Sequence, residues 1–445
     1  MILILLSKNK PKKMKYFFIP LLMITTITNA QNTPKNLDVK VAEVKEKVVS
    51  WRRDFHEHPE LSNREFNTSK KVQVHLNSLG IETRIIAKTG VVGVLRGSKP
   101  GPVIALRADM DALPVIERNN LPFKSTVQTE YNGLKVGIMH ACGHDAHTAM
   151  LMGAAEVLSK LKNDITGTVV FLFQPSEEGA PEGEEGGASL MVKEGALDNP
   201  KVEVAFGMHI ESNIPAGDIQ YKSGAFMASA DLFKIKVKGK SSHGSQPWLG
   251  VDPIYVSAQI INALQAIVSR ESDLTTAPVV ITVGAIHSGV RFNIIPEEAE
   301  LLGTIRNLDQ TVRKKVLEEV KSVSTQIANT FHATAEVTLD NKTLVTYNNP
   351  ELVKQMIPSL EKAAGITHVR AMNWVTGAED FSFFGEKVPS FFFYIGGMPI
   401  GKDPTTAPPH HTPDFYIDDS KLDVGVKTFC QLVFDYKSPI AATAK

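Results

Sequence analysis

Runs of consecutive apolar residues alternate with helical repeats over the first half of the chain. The apolar runs each end at a polar cluster, and they occupy residues 90–95, 103–108, 168–173 and 202–207. A strand that is buried on both faces has a continuous apolar run, whereas a half-exposed strand alternates apolar and polar residues. The pattern therefore predicts an α/β domain with a central, mostly parallel sheet.

A second pattern predicts a separate unit at residues 224–340. Alternation indicates strands and three- to four-residue spacing indicates helices, in the order strand 232–238, helix 253–270, strands 278–286 and 299–306, helix 311–331 and strand 334–339. The order β-α-β-β-α-β is that of a ferredoxin-like unit. We expect a catalytic domain in two parts, residues 31–223 and 341–445, which this inserted domain interrupts.

Composition narrows the possible partners. At 445 residues the chain exceeds the usual size of one hydrophobic core, which favours two domains. Its 48 basic and 48 acidic side chains cancel. Because no excess of positive charge would attract a nucleic acid or an anionic membrane surface, neither is expected as a partner.

The first 30 residues have the pattern of a secretory signal. Lysines at positions 10–15 precede an apolar run at 17–27, and the small residue Ala30 precedes a polar start. A membrane anchor is the alternative reading, but a spanning helix needs about 20 apolar residues, and this run is shorter. We expect residues 1–30 to be removed, and the mature protein to be periplasmic or extracellular with no stable membrane anchor.

The two cysteines have different surroundings in the sequence. Cys430 lies in an amphipathic helical pattern at residues 426–436, where a buried thiol is the usual reading. Cys142 lies among histidines, where a thiolate that binds metal is favoured over a disulfide with Cys430. The disulfide remains the alternative for an exported protein.

The densest group of metal-binding side chains lies at residues 140–147, where a helical pattern at residues 148–161 begins. It comprises His140, Cys142, His144 and His147, with Asp145 between them. Thiolate and imidazole are ligands that zinc and similar ions favour. A lone histidine is usually structural, but this density within eight residues indicates a metal site on the loop that leads into the helix.

Further polar side chains follow other apolar runs. Open α/β sheets place their sites at the ends of strands, so we expect these groups to converge. One carboxylate of a pair can bind metal while the other handles protons, and nearby acids can orient histidine ligands. The groups are Glu177 and Glu178 after the third run, His209 after the fourth, Asp109 and Asp111 after the second, and His410 and His411 far downstream.

Six short motifs together resemble the aminoacylase and carboxypeptidase family of dinuclear metallohydrolases. They match best its branch of hippurate hydrolases and indoleacetyl-amino-acid amidohydrolases, over residues 49–419. The motifs are Arg107-Ala-Asp-Met-Asp-Ala-Leu-Pro114, His140-Ala-Cys-Gly-His-Asp145, Phe173-Gln-Pro-Ser-Glu-Glu-Gly179, Gly207-Met-His209, Gly303-Thr-Ile-Arg306 and His411-Thr-Pro413. The resemblance implies a metallopeptidase-type catalytic domain with an inserted lid or dimerisation domain.

The resemblance also implies a role for each site residue. Two divalent metal ions per subunit are implied, with zinc, manganese, cobalt and nickel all open. Glu177 is implied as the general base that acts on a metal-bridged water, and Asp111 is given an orienting role. The implied metal ligands are Cys142, His144, Glu178, His209 and His411, with the adjacent His410 as the alternative to His411.

The inserted domain contributes the implied substrate contacts. By resemblance, His243 stabilises the oxyanion, often across a dimer, and Asn293 and Arg306 are placed to meet a substrate carboxylate. The two domains must then close over the metals, and a homodimer or higher homo-oligomer is expected. Glu379 lies in a Gly-x-Glu-Asp-Phe element, where it either orders the metal site or caps a helix.

The predicted function is metal-dependent hydrolysis of the amide bond in N-acyl amino acids, such as hippurate-like substrates, or in small peptides. Two alternatives stay open, namely an exported dipeptidase or carboxypeptidase of the same family, and a catalytically silent two-domain periplasmic binding protein. The Glu177–Glu178 pair favours an enzyme over the binding protein, because a binding protein has no use for a second carboxylate beside a metal-bound water.

Overall fold

The apolar runs of the first half form the middle of an eight-stranded sheet in the computed structural model, which describes residues 33–438. The α-helices within residues 33–438 are α1 (Leu37–Glu57), α2 (Phe66–Ser78), α3 (His144–Lys160), α4 (Gly187–Lys193), α5 (Pro253–Ala266), α6 (Gln310–Thr330), α7 (Pro350–Ala364), α8 (Ser382–Lys387) and α9 (Leu422–Asp435). The predicted signal at residues 1–30 lies outside the described residues. Within residues 33–438, no helix has the length and hydropathy that crossing a bilayer requires.

The strands of the described part divide between the large sheet, a four-stranded sheet and three short ribbons. They are β1 (Glu82–Ile86), β2 (Gly90–Arg96), β3 (Lys99–Asp109), β4 (Gln128–Tyr131), β5 (Leu134–Gly137), β6 (Thr166–Gln174), β7 (Val204–Pro215), β8 (Ile219–Tyr221), β9 (Gly224–Met227), β10 (Ala230–Lys238), β11 (Ser242–His243), β12 (Val279–Ser288), β13 (Ile294–Ile295), β14 (Glu298–Asn307), β15 (Thr334–Thr343), β16 (Thr346–Asn348), β17 (Val369–Ala371) and β18 (Ser390–Met398).

The large sheet has the order β1-β2-β6-β3-β7-β18-β8-β17. Its centre, β6-β3-β7-β18, is parallel, while β1, β2 and β8 add antiparallel pairings. Helices α1, α2, α3, α7 and α9 cover one face, and α4 and α8 cover the other. Burial on both faces explains the continuous apolar runs, and the predicted α/β class with a mostly parallel sheet is confirmed.

The insertion has the predicted β-α-β-β-α-β order. Its antiparallel sheet, β12-β14-β10-β15, packs one face against α5 and α6, which is the ferredoxin-like arrangement. Asp252 and Asp309 cap these helices by accepting backbone N–H groups of the first turn. The sheet runs from Ala230 to Thr343, whereas β9 pairs with β16 outside it. Insertion and large sheet belong to one compact unit, so the division into separate domains stays a prediction.

Two site residues lie on different elements from those expected. His209 was expected after the fourth run, but β7 continues past it to Pro215. The reason is that β3 stops pairing with β7 at Gly207, while β18 continues alongside. His144 was expected on the loop before the helix, but it is the first residue of α3, because Gly143 with φ 94° provides the left-handed turn that starts the helix early.

Candidate metal centre

Side chains from distant segments meet at the carboxyl end of the parallel strands. The Cys142 Sγ atom lies 3.3 Å from the Nε2 atoms of both His209 and His411. His411 Nε2 lies 3.1 Å from Glu178 Oε1, and that oxygen lies 4.0 Å from His144 Nε2. The structure thus brings together all five side chains that the sequence predicts as metal ligands.

Both adjacent histidines of the downstream motif reach Cys142. His410 Nδ1 lies 3.6 Å from Cys142 Sγ, and His410 Nε2 lies 3.3 Å from Glu211 Oε2. His411 has φ 62°, a left-handed conformation that turns the chain between the two rings. Since His410 contacts Glu211 and His411 contacts Glu178, each is anchored by a different carboxylate. The choice of His411 as the ligand stays a prediction.

The donor atoms fit a divalent cation. Both ring nitrogens of His144 are buried and have no hydrogen-bond partner among the described residues. Its Nε2 atom lies 3.8 to 4.0 Å from carboxylate oxygens of Asp109, Glu177 and Glu178. These separations are about twice a metal–ligand distance of ~2.0–2.2 Å, so an ion between such atoms would satisfy donors that are otherwise costly to bury.

The charges around the cluster also favour a cation. Burial alone would lower the pKa of His144, but the carboxylates of Asp109 and Asp111 raise it to about 10. Burial and the Glu178 carboxylate raise the pKa of the Cys142 thiol well above its usual value. A thiolate there therefore needs a compensating positive charge, which bound metal supplies. Cys142 and Cys430 are both free thiols, so the alternative disulfide is absent from the structure.

Asp111 connects the Glu-Glu loop to the histidine. Its carboxylate accepts the backbone N–H groups of Glu177 at 3.0 Å and Glu178 at 3.1 Å, and the Ser62 hydroxyl at 2.7 Å. Its Oδ1 atom lies 3.3 Å from His144 Nδ1. One buried carboxylate thus holds the loop and faces the ring, which is the geometry that the predicted orienting role requires.

A buried arginine, Arg107, sits beneath the centre, and the sequence reasoning missed it. Its guanidinium donates to Asp109 at 2.7 Å, Glu379 at 2.8 Å, Asp380 at 3.0 Å and Gln174 at 2.8 Å. The available signal was a charged residue inside an otherwise apolar strand, since unpaired charges are rarely buried.

Two further side chains beside the metal centre, those of Glu379 and His147, each contact two partners. Glu379 accepts both the Arg107 guanidinium and the Phe381 N–H at 2.9 Å. Among the described residues no side chain caps α8, so the capping role weighed above is wrong, and the contact with Arg107 agrees with the ordering role. His147 lies 2.6 Å from Asp109 through Nδ1, and its Nε2 accepts the Ile210 N–H at 2.7 Å. Because both ring nitrogens are engaged, His147 supports the site through Asp109 and leaves no lone pair for an ion.

The ferredoxin-like insertion holds its predicted residues apart from this cluster. His243 is exposed on β11, and its Nδ1 accepts the Ser245 N–H at 3.1 Å. Asn293 lies beside it, since its carbonyl accepts the Gly244 N–H at 2.9 Å, and Arg306 is half-buried on β14. Within residues 33–438, no hydrogen bond or ion pair joins His243, Asn293 or Arg306 to the metal centre.

Comparison with known proteins places this geometry in a family. Residues 105–435 match the profile of peptidase family M20/M25/M40. Thermostable carboxypeptidase 1 of Saccharolobus solfataricus is 40% identical over 401 residues, which are 89% of this chain and 97% of that protein. N-acetylcysteine deacetylase of Bacillus subtilis is 39% identical over 389 residues, 87% of this chain and 96% of that protein.

A solved structure extends the likeness to three dimensions. The YXEP protein of Bacillus subtilis, a dinuclear metal-binding peptidase of the M20 family, superposes with a TM-score of 0.72 at 35% identity. The match covers 88% of this chain and 98% of that protein.

Proposed function

The chain belongs to peptidase family M20/M25/M40 and is a metal-dependent hydrolase of amide bonds, and from this premise we propose that it hydrolyses N-acyl amino acids or small peptides. The observation that carries the proposal is the position of Glu177. It is a carboxylate next to one predicted ligand, Glu178, and its Oε2 lies 3.9 Å from another, His144, in a cluster that already holds five donors. A binding protein would need no such additional base.

We propose that the five converging donors hold two divalent cations, with zinc, manganese, cobalt and nickel as the candidates. Such ions, when bound, would supply the positive charge that polarises a substrate carbonyl and lowers the pKa of a water. The chain supplies thiolate, imidazole and carboxylate for this purpose from Cys142, His144, Glu178, His209 and His411.

Glu177 is the proposed general base. Burial and the neighbouring Glu379 carboxylate raise the pKa of Glu177 well above its usual value, which makes its carboxylate a stronger proton acceptor than an exposed one. A group that takes a proton from the attacking water and returns it to the leaving nitrogen needs that property. The backbone N–H of Glu177 donates to Asp111, and this hydrogen bond fixes the position of the backbone from which the Glu177 side chain extends.

The proposed substrates carry a free carboxylate beside the scissile amide. The names of the two relatives support this class, because N-acetylcysteine is an N-acyl amino acid and a carboxypeptidase releases a residue with a free carboxylate. Arg306 and Asn293 are proposed to bind that carboxylate, and His243 to stabilise the oxyanion. For these contacts to form, either the insertion must close over the metals of its own chain, or the insertion of a second copy must supply the three residues. A homodimer is therefore part of the proposal.

We also propose that the protein is exported. The support is the order of basic residues, short apolar run and Ala30 at the N-terminus. Sequencing the N-terminus of the mature protein from cell fractions tests this point, and an intact residue 1 in the cytoplasmic fraction would contradict it.

The main experiment combines metal analysis with a substrate panel. Protein purified after expression of the full chain is analysed for bound metal and assayed on hippurate-like N-acyl amino acids and on dipeptides, before and after chelation. We expect close to two ions per chain and turnover that chelation removes and added metal restores. Full metal occupancy without hydrolysis of any member of the panel would contradict the proposed substrate class.

A further inference from the structure

Glu65 is a fully buried carboxylate outside the predicted ligand set. It lies directly before α2, and its side chain has no exposed surface. Its Oε1 atom accepts the backbone N–H of Asn63 at 3.0 Å and that of Ser176 at 2.9 Å. Its Oε2 atom accepts the hydroxyl of Thr89 at 2.6 Å. The Ser176 contact matters most, because Ser176 immediately precedes the proposed base and ligand pair.

The loop at residues 176–178 is held through its backbone by two buried carboxylates. The N–H of Ser176 donates to Glu65, and the next two N–H groups, those of Glu177 and Glu178, donate to Asp111. Successive N–H groups that point the same way form a concave nest for negative charge. The backbone that carries the base and the ligand is therefore fixed before any metal or substrate binds.

Glu65 also stabilises strained backbone on both sides of this contact. Ser176 has φ 57° and Asn63 has φ 60°, left-handed conformations that are unfavourable for a residue with a side chain. Both residues donate their N–H to the same Glu65 oxygen. Such strain persists only where surrounding contacts demand it. Without this acceptor, the loop would relax away from the conformation that aims Glu178 at His411.

We propose that Glu65 is a positioning residue of the metal centre, which fixes the loop at residues 176–178 so that Glu178 reaches the cations and Glu177 faces the substrate. The proposal rests on the roles given above to Glu177 and Glu178. A purely structural role is the competing explanation, since Glu65 also anchors Asn63 and Thr89. The two explanations differ in what happens to metal binding.

The contacts of Glu65 depend on its acceptor oxygens and not on its charge. Burial and the nearby Asp111 carboxylate raise the pKa of Glu65 to about 7, so ionising it near neutral pH is unfavourable. A glutamine would place an acceptor oxygen at the same point without that charge. We therefore expect Glu65→Gln to keep both backbone contacts, and with them the metal affinity, within a few-fold of wild type.

Three substitutions and one control separate the explanations. Glu65→Ala removes the acceptor, Glu65→Asp withdraws the carboxylate by one methylene, and Glu65→Gln keeps the acceptor in place. Thr89→Val is the matched control, because it deletes a buried hydrogen bond to the same carboxylate and leaves the Ser176 contact intact. Should Glu65→Ala fail to fold, as circular dichroism would reveal, Glu65→Asp carries the test.

The readouts are metal affinity and loop protection. Metal-stripped full-length protein is titrated with Zn²⁺ by calorimetry, with Glu178→Ala as the reference for loss of a ligand. Glu65→Ala and Glu65→Asp should weaken Zn²⁺ binding by roughly 10–100-fold, the usual effect of removing support behind a ligand. Hydrogen exchange in peptides covering residues 174–180 should accelerate in the same two variants, while Glu65→Gln and Thr89→Val stay near wild type.

The outcomes decide the proposal independently of the substrate class. Wild-type Zn²⁺ affinity and wild-type exchange in Glu65→Ala or Glu65→Asp would overturn it, as would equal losses in Thr89→Val. If wild type binds Zn²⁺ yet hydrolyses no N-acyl amino acid or dipeptide, the proposed function fails while these titrations still decide the role of Glu65. If Glu178→Ala binds Zn²⁺ like wild type, the ligand set is wrong, and the exchange data alone then decide whether Glu65 fixes the loop.

Discussion

The metal centre and the insertion hold their reactive side chains in opposite ways. Cys142 and His144 are buried, and the neighbouring loop is tied through its backbone to buried carboxylates. His243 is exposed, and its ring contacts Ser245, two residues away on the same loop. Buried hydrogen bonds hold a side chain in one geometry, whereas an exposed side chain loses rotamer entropy when it is ordered later.

This difference separates two stages of the proposed catalysis. A single chain already brings the proposed metal ligands together, so metal binding should not depend on the insertion. The proposed substrate-binding residues of the insertion do not contact the metal centre in this structure, so turnover should depend on closure of the insertion or on a second copy. Substitutions in the two regions should therefore split metal binding from turnover.

Glu177→Gln should give the largest effect. It removes the proton acceptor and keeps the size of the side chain, so we expect kcat to fall by about 10²–10⁴-fold, the contribution of a positioned general base. Bound metal should stay near the wild-type level, because Glu178 and not Glu177 is the proposed ligand. Retained turnover in a fully metallated Glu177→Gln protein would remove Glu177 from the mechanism.

His243→Ala tests the insertion directly. Loss of an oxyanion donor should lower kcat by roughly 10²–10³-fold with little change in KM, because the contact forms in the transition state. Metal affinity should be unchanged, which sharpens the contrast with the Glu65 variants. Ser245→Ala is the control, since it deletes the hydroxyl that lies 2.7 Å from His243 Nδ1 and leaves the imidazole in place.

Mixing variants shows whether His243 acts within one chain or on a second copy. If it reaches across a dimer, combining His243→Ala protein with Glu177→Gln protein creates hybrid sites that contain both intact residues. Activity should then reappear on mixing after subunit exchange. Full activity of His243→Ala alone would instead mean that the insertion takes no part in the chemistry.

Arg306→Ala should have a smaller effect, and on a different constant. Loss of a charge-assisted contact worth about 1.5–3 kcal/mol should raise KM for substrates with a free carboxylate by roughly 10–100-fold. The same substitution should leave the KM of amidated analogues unchanged, and Arg306→Lys should recover part of the loss, because it keeps the charge without the guanidinium fork. Equal changes for both substrate forms would argue against a carboxylate contact.

The sequence predicted what depends on local pattern and missed what depends on long-range packing. Apolar runs predicted the buried strands because each strand contributes to both cores at once. The density of thiol and imidazole groups at residues 140–147 indicated a metal site, because such groups seldom cluster by chance, and the family resemblance implied the individual ligands. The Glu65–Ser176 contact joins residues 111 apart, and the Arg107–Glu379 pair joins residues 272 apart. No periodicity encodes such pairings, since tertiary packing alone fixes them.

The last expected effect is on stability and not on turnover, and it concerns the charge balance beneath the metal centre. The Arg107 guanidinium faces the carboxylates of Asp109, Glu379 and Asp380, all buried. Burial raises the pKa of Glu379 to about 8 even though Arg107 opposes the shift, so this cluster retains a proton at neutral pH. An unfolded glutamate has a pKa of about 4.3. The folded state therefore binds more protons between these values, and its stability should fall as pH rises through that window.

Glu379→Gln removes this proton from the balance. The variant should be less stable than wild type near pH 5, where glutamine replaces a protonated acid but weakens the contact with Arg107. The free energy of unfolding of the variant minus that of wild type should then increase toward pH 8, by up to ~1.4 kcal/mol per pH unit. Urea unfolding at pH 5, 6.5 and 8 measures the difference, in which titrating groups remote from Glu379 cancel. Glu156→Gln is the control. Burial favours a higher pKa for Glu156, but contacts with Lys47 and Lys160 lower that pKa below its usual value. The free energy of unfolding of Glu156→Gln minus that of wild type should therefore stay flat above pH 5. A flat or falling difference for Glu379→Gln would mean that Arg107 keeps all three carboxylates ionised, so that three negative charges and not two face its single positive charge.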